Sequence, residues 1–278
     1  ASPRPSAGSP TGSSRTGSCE RGCPLLETEG ITGTFGGLRV VDDVGLSVER
    51  GELIGLAGPN GSGKTSFLNA LCGIVPAQGR VSVDGTPVRL GKPRSAHRAG
   101  IGRVFQAPQV YGELSCIDNV LLSSSDPALR GLTGAWPARP LMFRRERRRW
   151  DRALEALELV GLAELAAEDA SLLSYGQQRL LELARALAGD PKLLLLDEPS
   201  AGLNDAETTA LATLLGEVRA AGNTLVLVDH KIDFLDALCD RLAVLELGRI
   251  IAFGRPDEVW RDDRVVSAYL GVPADAAD

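Results

Sequence analysis

Methionine, histidine and lysine are nearly missing from this 278-residue chain, at one, two and four residues. With only two histidines in the chain, neither a histidine-built zinc centre nor a serine-type triad is expected. Long apolar runs are missing as well. None approaches the roughly 18 residues of a membrane span, so any transport role would need separate membrane subunits. There is no basic excess, and a net charge of −6 argues against a dedicated nucleic-acid binder. The five cysteines (Cys19, Cys23, Cys72, Cys116, Cys239) are odd in number and irregularly spaced. That pattern fits reduced cytosolic thiols rather than a disulfide framework. Cys19 and Cys23 have no histidine nearby, so no metal site is expected there.

The first 24 residues, ASPRPSAGSPTGSSRTGSCERGCP, are almost empty of large apolar side chains. They are read as a disordered Ser/Gly/Pro-rich tail or linker, without the apolar segment of a secretion signal. The one methionine is Met142, so Ala1 is not an initiator residue. Either the initiator was removed or the chain is a piece of a longer one, such as a fusion. The remaining composition, 44 % hydrophobic and 24 % charged, is that of a globular protein. Its length suits one large domain or two subdomains.

One of the four lysines stands in GPNGSGKT, residues 58–65. An apolar run (Leu53, Ile54, Gly55, Leu56) precedes it, and helix-spaced Phe67, Leu68, Ala70 and Leu71 follow. Strand, glycine loop and helix form the context in which G-x-x-x-x-G-K-[ST] binds phosphate. Glycines let backbone N–H groups turn inward, and the helix N-terminus adds partial positive charge. The cradle is assigned to Gly58, Pro59, Asn60, Gly61, Ser62, Gly63, Lys64, Thr65 and Ser66. Lys64 faces the β- and γ-phosphates, and the Thr65 hydroxyl faces Mg²⁺.

Residues 31–48 alternate like a strand, and RVSVDGTPVRL at 80–90 reads as a hairpin turning at Asp84-Gly85. Together they suggest a small antiparallel layer. Residues 112–188 carry helix-period patterns, including DRALEALELVGL and QQRLLELARALA. LLLLDEP (193–199) and TLVLVDH (224–230) are apolar runs ending in polar residues, the pattern of parallel strands buried on both faces. An α/β fold follows: a parallel-sheet core interrupted by a helical insertion. Asp197 can reach Mg²⁺, and Glu198 can polarise a water for attack on phosphorus. The plain alternative is an acidic pair capping the next helix.

LSYGQQ, residues 173–178, opens a helix 23 residues before Asp197 and decides among phosphate-loop families. With it the chain, from about residue 27 to 271, resembles the ATP-binding subunits of ABC transporters, where LSGGQ is the usual form. That resemblance implies a RecA-like P-loop NTPase with an antiparallel β subdomain and an inserted helical signature subdomain. The ATPase domain would span residues 25–272, its helical part about 112–188, with a short tail at 273–278. It further implies ATP and Mg²⁺, with Phe35 and Val40 at the adenine and Gln106 as the Q-loop glutamine near metal and water. SAGLND at 200–205 stands for the D-loop, and His230 for the switch histidine beside the catalytic Glu198. Core packing for Phe35, strand capping for Gln106 and a structural hydrogen bond for His230 are the plainer alternatives.

Ser174, Tyr175, Gly176 and Gln177 would form an anion site that covers the γ-phosphate held by an opposite subunit. Partners implied are a second ATPase chain (the same or different), two membrane permeases and, indirectly, an extracytoplasmic solute-binding protein. Location at the cytoplasmic face of the cell membrane follows, and no nucleic acid is implied. Tyr175, the long insertion, PSAGLN and the ending DDRVVSAYLG are similar to importers of branched-chain or other hydrophobic amino acids. Urea or short-amide importers remain an alternative, as does a non-transport ABC-type ATPase. Lys231 departs from the acidic residue usual after the switch histidine. Seven arginines between Arg139 and Arg152 are either a solvated helix face or a contact for anionic headgroups or a membrane subunit.

Overall fold

The computed structural model describes residues 24–35, 37–123 and 139–270. The tail at 1–24 (Pro24 apart), with Cys19 and Cys23, and the tail at 273–278 lie outside the described residues. So does the side chain of Phe35.

The chain begins with β1 (Leu26–Phe35) and β2 (Leu38–Val48), paired antiparallel. The strand-like run at 31–48 spans the end of β1 and all of β2. β3 (Leu53–Ala57) leads into the glycine loop and α1 (Lys64–Leu71). β4 (Ala77–Val83) and the short β5 (Thr86–Pro87) form the hairpin. Its turn residues Asp84 and Gly85 both have positive φ, 52° and 68°, as a tight hairpin turn requires. α2 (Pro93–Ala99) and β6 (Ile101–Val104) follow. Three helices come next: α3 (Cys116–Ser123), α4 (Arg139–Leu159) and α5 (Tyr175–Ala188).

The chain then returns to the sheet through β7 (Leu193–Asp197), α6 (Asp205–Ala220) and β8 (Thr224–Val228). It closes with α7 (Ile232–Leu238), β9 (Arg241–Glu246), β10 (Arg249–Gly254), α8 (Pro256–Val259) and α9 (Asp263–Leu270).

Two sheets result. One is antiparallel, in the order β2-β1-β4-β5; the other has the order β10-β9-β3-β8-β7-β6. In the second sheet only β10 runs antiparallel. Alternation along each central strand divides the core in two. Leu194, Leu196, Leu225 and Leu227 face the helices α3–α6. Leu193, Leu195, Val226 and Val228 face α1, α2 and the antiparallel sheet. All of them are buried, which explains why these strands read as unbroken apolar runs. Burying each such side chain stabilises the fold by about 1.5–3 kcal/mol. No helix among the described residues is long and apolar enough to cross a membrane.

Candidate active site

Four neighbouring parallel strands deliver the chemistry from their C-terminal ends. β3 ends in the glycine loop, β6 leads to Gln106, β7 ends in Asp197-Glu198, and β8 leads to His230. A parallel sheet aligns those ends, so residues far apart in sequence meet in one crevice.

The loop is shaped by two glycines that admit no side chain. At Gly58 (φ 137°) a Cβ would lie 2.1 Å from the Leu245 carbonyl oxygen. At Gly63 (φ 107°) it would lie 2.4 Å from the Val40 carbonyl oxygen. Gly63 also caps α1 without a side-chain hydrogen bond, leaving the first N–H groups of that helix open. Lys64 is buried and folds back on its own loop, donating to the Gly58 and Pro59 carbonyls at 2.7 and 3.0 Å. Burial pulls its ammonium below the ordinary lysine value, against the raising effect of Glu198 and Asp197. The Ser62 hydroxyl is buried with no hydrogen-bond partner among the described residues. A cradle with open N–H groups, an unused hydroxyl and a cation fits a polyphosphate.

Asp197 is buried and held from two sides. Thr65 Oγ1 donates to its Oδ1 at 3.1 Å, and Arg103 Nη2 to its Oδ2 at 2.7 Å. One hydroxyl and one carboxylate suit Mg²⁺, which keeps most of its waters and takes few protein ligands. When bound, Mg²⁺ would neutralise phosphate charge. Gln106 is not joined to this pair. Its Nε2 donates instead to Glu198 Oε2 at 2.6 Å, and His230 Nε2 lies 3.1 Å from the same oxygen. Glu198 itself sits at φ 50°, a left-handed backbone that non-glycine residues adopt only at a cost. Its N–H is anchored on the Val228 carbonyl at 2.8 Å, so the neighbouring strand fixes the strained turn. A pocket of about 150 Å³ collects Val40, Asn60, Gly61, Gly63, Lys64, Thr65, Ser66 and Glu198.

The signature residues are elsewhere. Ser174, Gly176 and Gln177 line a different cavity of about 380 Å³, between α5 and α6. The chain does not bring them to its own glycine loop.

Several supporting residues escaped sequence reading. Arg103 carries no motif, yet it is the buried partner of Asp197. Asp229 is buried and accepts from the Ser200 hydroxyl (2.8 Å) and the His230 and Lys231 N–H groups (2.8 and 3.1 Å). On α5, Glu182 Oε1 accepts from the Phe105 N–H (3.1 Å) while Arg179 Nη1 donates to the Phe105 carbonyl (3.2 Å). Both backbone groups of the residue before Gln106 are thus held by the signature helix. Burial raises the Glu182 carboxyl above its ordinary value, against the Phe105 N–H and nearby Arg179 and Arg185. Lys231 turns away from Glu198 and donates to Thr208 Oγ1 (2.9 Å) and the Leu203 carbonyl (3.3 Å). Lys231 thereby ties the residue after His230 to α6.

Residues 41–201 match the model of the ABC transporter family. The chain belongs to that family. Over 250 residues it is 35 % identical to the high-affinity branched-chain amino acid transport ATP-binding protein BraF of Pseudomonas aeruginosa, covering 89 % of this chain and 98 % of that protein. Identity to the protein LivG of Escherichia coli, which bears the same description, is 36 % with the same coverage. Among solved structures, the ADP conformation of an ATP-binding cassette of an ABC transporter superposes with a TM-score of 0.77 and 31 % identity, covering 90 % of this chain and all of that one. A dimeric post-hydrolysis cassette bound to ADP and Pi gives a TM-score of 0.68 at 26 % identity, covering 84 % of this chain and 99 % of that one. The fold is that of an ABC ATPase cassette.

Proposed function

We propose that the chain is the ATP-hydrolysing subunit of an ABC importer for branched-chain or other hydrophobic amino acids. The observation that carries the reading is the convergence of Lys64, Thr65, Asp197, Glu198, Gln106 and His230 at the ends of four adjacent strands. Relatives described as branched-chain amino acid transport ATP-binding proteins support the substrate class.

Each residue has a role that its geometry suits. The glycine loop and Lys64 hold the phosphates of ATP, with adenine beside Val40 and Phe35. Thr65 and Asp197 hold Mg²⁺. Glu198 orients and polarises the attacking water, while Gln106 and His230 fix its carboxylate. Ser174, Tyr175, Gly176 and Gln177 act on ATP held by a second ATPase chain, a reading supported by the cavity apart from their own loop that Ser174, Gly176 and Gln177 line. Two permeases and an external solute-binding protein complete the transporter, with this chain at the cytoplasmic face of the membrane and residues 25–272 as its ATPase domain.

The test is to identify the permeases that co-purify with the chain and reconstitute the complex in vesicles. ATP-driven uptake of labelled leucine is expected, and it should vanish with Lys64→Ala. Uptake of urea in place of leucine would overturn the substrate class and keep the ATPase assignment.

A further inference from the structure

Helix α4, RPLMFRRERRRWDRALEALEL, carries its charges in the wrong order for a helix. Arginines fill the first part at positions 139, 144, 145, 147, 148 and 149, with Glu146 among them, and the acids Asp151, Glu155 and Glu158 come later. A helix N-terminus is partly positive and favours acids, while the C-terminus favours bases. Neither preference is met: the first turn has no acidic residue and the last has no basic one. Spacing makes matters worse. Arg144 and Arg148, Arg145 and Arg149, and Arg148 and Arg152 stand four residues apart, the separation at which like charges repel.

The packing relieves this at Arg149, which pairs with Glu146 at 3.1 Å and donates to the Leu121 carbonyl at 2.9 Å. Ala153, Ala156 and Leu157 form the buried face, whereas Arg144, Arg147, Arg148 and Arg152 are exposed. Among the described residues, none of those four has an ion pair. Elsewhere on the surface Arg39 and Arg249 pair with Asp42, Arg80 with Glu29 and Arg264 with Asp262, whereas Arg89, Arg94, Arg98 and Arg261 are exposed without an ion pair among the described residues. What sets α4 apart is that four such arginines stand on one helix. In a chain of net charge −6, four exposed arginines without carboxylates are a local conflict, and such conflicts are expected at functional surfaces. Beside the stripe, Trp150 and Leu154 are exposed at 41 % and 40 %. They are one turn apart, on the C-terminal side of Arg147. A basic stripe bordered by an exposed indole and a leucine is the composition of a helix that rests on a bilayer interface.

We propose that the arginine face of α4 is a docking surface for anionic phospholipid headgroups. An acidic bilayer supplies the counter-charge that the fold withholds, and Trp150 and Leu154 enter the interfacial layer. The site needs the transport reading only to bring the chain to a membrane. A headgroup contact there would hold the helical segment against the bilayer while the permeases engage the rest.

The experiment is cosedimentation of the full chain, without nucleotide, with phosphatidylcholine vesicles that contain or lack phosphatidylglycerol. Binding to the anionic vesicles is expected, and added salt should suppress it. The triple variant Arg144→Gln, Arg147→Gln, Arg148→Gln should bind about a hundredfold more weakly, at about fivefold per arginine. Because the change relieves repulsion, its melting temperature should match or exceed that of the parent, and its basal ATP turnover should be unchanged. Arg80→Gln with Arg264→Gln, which removes paired surface arginines, should leave vesicle binding intact. Trp150→Ala should weaken it severalfold.

Equal binding to neutral and anionic vesicles would overturn the proposal, as would wild-type binding by the triple variant. Tighter capture by polyglutamate or single-stranded DNA than by anionic vesicles would replace the bilayer with an acidic polymer. Failure of the ATPase reading is separately visible: a Lys64→Ala chain that still turned over ATP would leave the vesicle result standing.

Discussion

Two helices of this protein begin within a glycine-bearing motif, and their N-termini are finished in opposite ways. α1 begins at Gly63, whose left-handed backbone offers no side chain, so its first N–H groups stay open. α5 begins at Ser174 with a complete capping box. Ser174 Oγ accepts from the Gln177 N–H (3.3 Å), and Gln177 Oε1 accepts from the Ser174 N–H (2.9 Å). The first terminus leaves its donors for a ligand, while the second satisfies its own. Yet the Ser174 hydroxyl accepts in that box, so its proton remains free to donate outward. The fold thus builds one helix terminus that is open in the single chain and another whose structure holds without any ligand. This division suits a protein whose second site is filled only by a partner's nucleotide.

Breaking the open terminus should have the largest effect on turnover. Lys64→Ala removes the cation facing the phosphates and should abolish ATP hydrolysis and weaken ATP binding. Turnover at the wild-type rate would remove the assignment of the loop. Glu198→Gln comes next. It keeps the shape but replaces the carboxylate that polarises water, so hydrolysis should fall by about 10²–10⁴-fold while binding survives. ATP should then accumulate at a closed interface, read as an ATP-dependent dimer by sizing chromatography. Hydrolysis at the parent rate would pass the general-base role to another group.

The self-capped terminus can be dissected more finely, because aspartate caps a helix as well as serine does. Ser174→Asp should leave the melting temperature near that of the parent while placing a carboxylate against the opposite subunit's phosphate. Introduced into Glu198→Gln, it should dissolve the ATP-dependent dimer. Ser174→Ala should instead cost about 1 kcal/mol of stability by removing the cap. A dimer that survived Ser174→Asp would show that this helix meets no phosphate across the interface.

Much of the open site was legible because its chemistry is local. Lys64 and Thr65 belong to one loop, and Asp197, Glu198 and His230 each end an apolar run that can only be a buried strand. Once the sheet is parallel, those ends must meet. What escaped notice depends on tertiary neighbours. Arg103 looks like any charged residue near a strand end until β6 is laid beside β7, which turns it toward Asp197. Glu182 and Arg179 read as the polar face of an amphipathic helix, and nothing local says that they hold Phe105. The strands β9 and β10 carry no motif that would single them out in the sequence. The positive φ of Glu198 is likewise invisible to a propensity argument.

The smallest expected effect lies where the open site meets the end of the chain. Tyr269 on α9 accepts a hydrogen bond at its hydroxyl from the Gly58 N–H at 2.8 Å, at the entry to the glycine loop. Burial raises that phenol above its ordinary value, and the Gly58 N–H works against the shift. Trp260 packs edge-on against the ring, with centroids 5.8 Å apart, and its indole N–H donates to Asp236 on α7. A brace therefore runs from the helix after His230, through two aromatic rings, to the start of the loop. Tyr269→Phe keeps the rings and removes only the acceptor. The freed Gly58 N–H cannot be covered from its own residue, because a side chain at Gly58 would strike Leu245. Leaving such a donor unpaired costs about 1–3 kcal/mol when water stays out. At roughly 2–4 °C per kcal/mol, calorimetry should register a lower melting temperature. The ATP dissociation constant should rise severalfold with maximal turnover unchanged, because the brace positions the loop and touches no reacting atom. A fall in turnover at unchanged affinity would instead mean that the brace acts through α7 on His230.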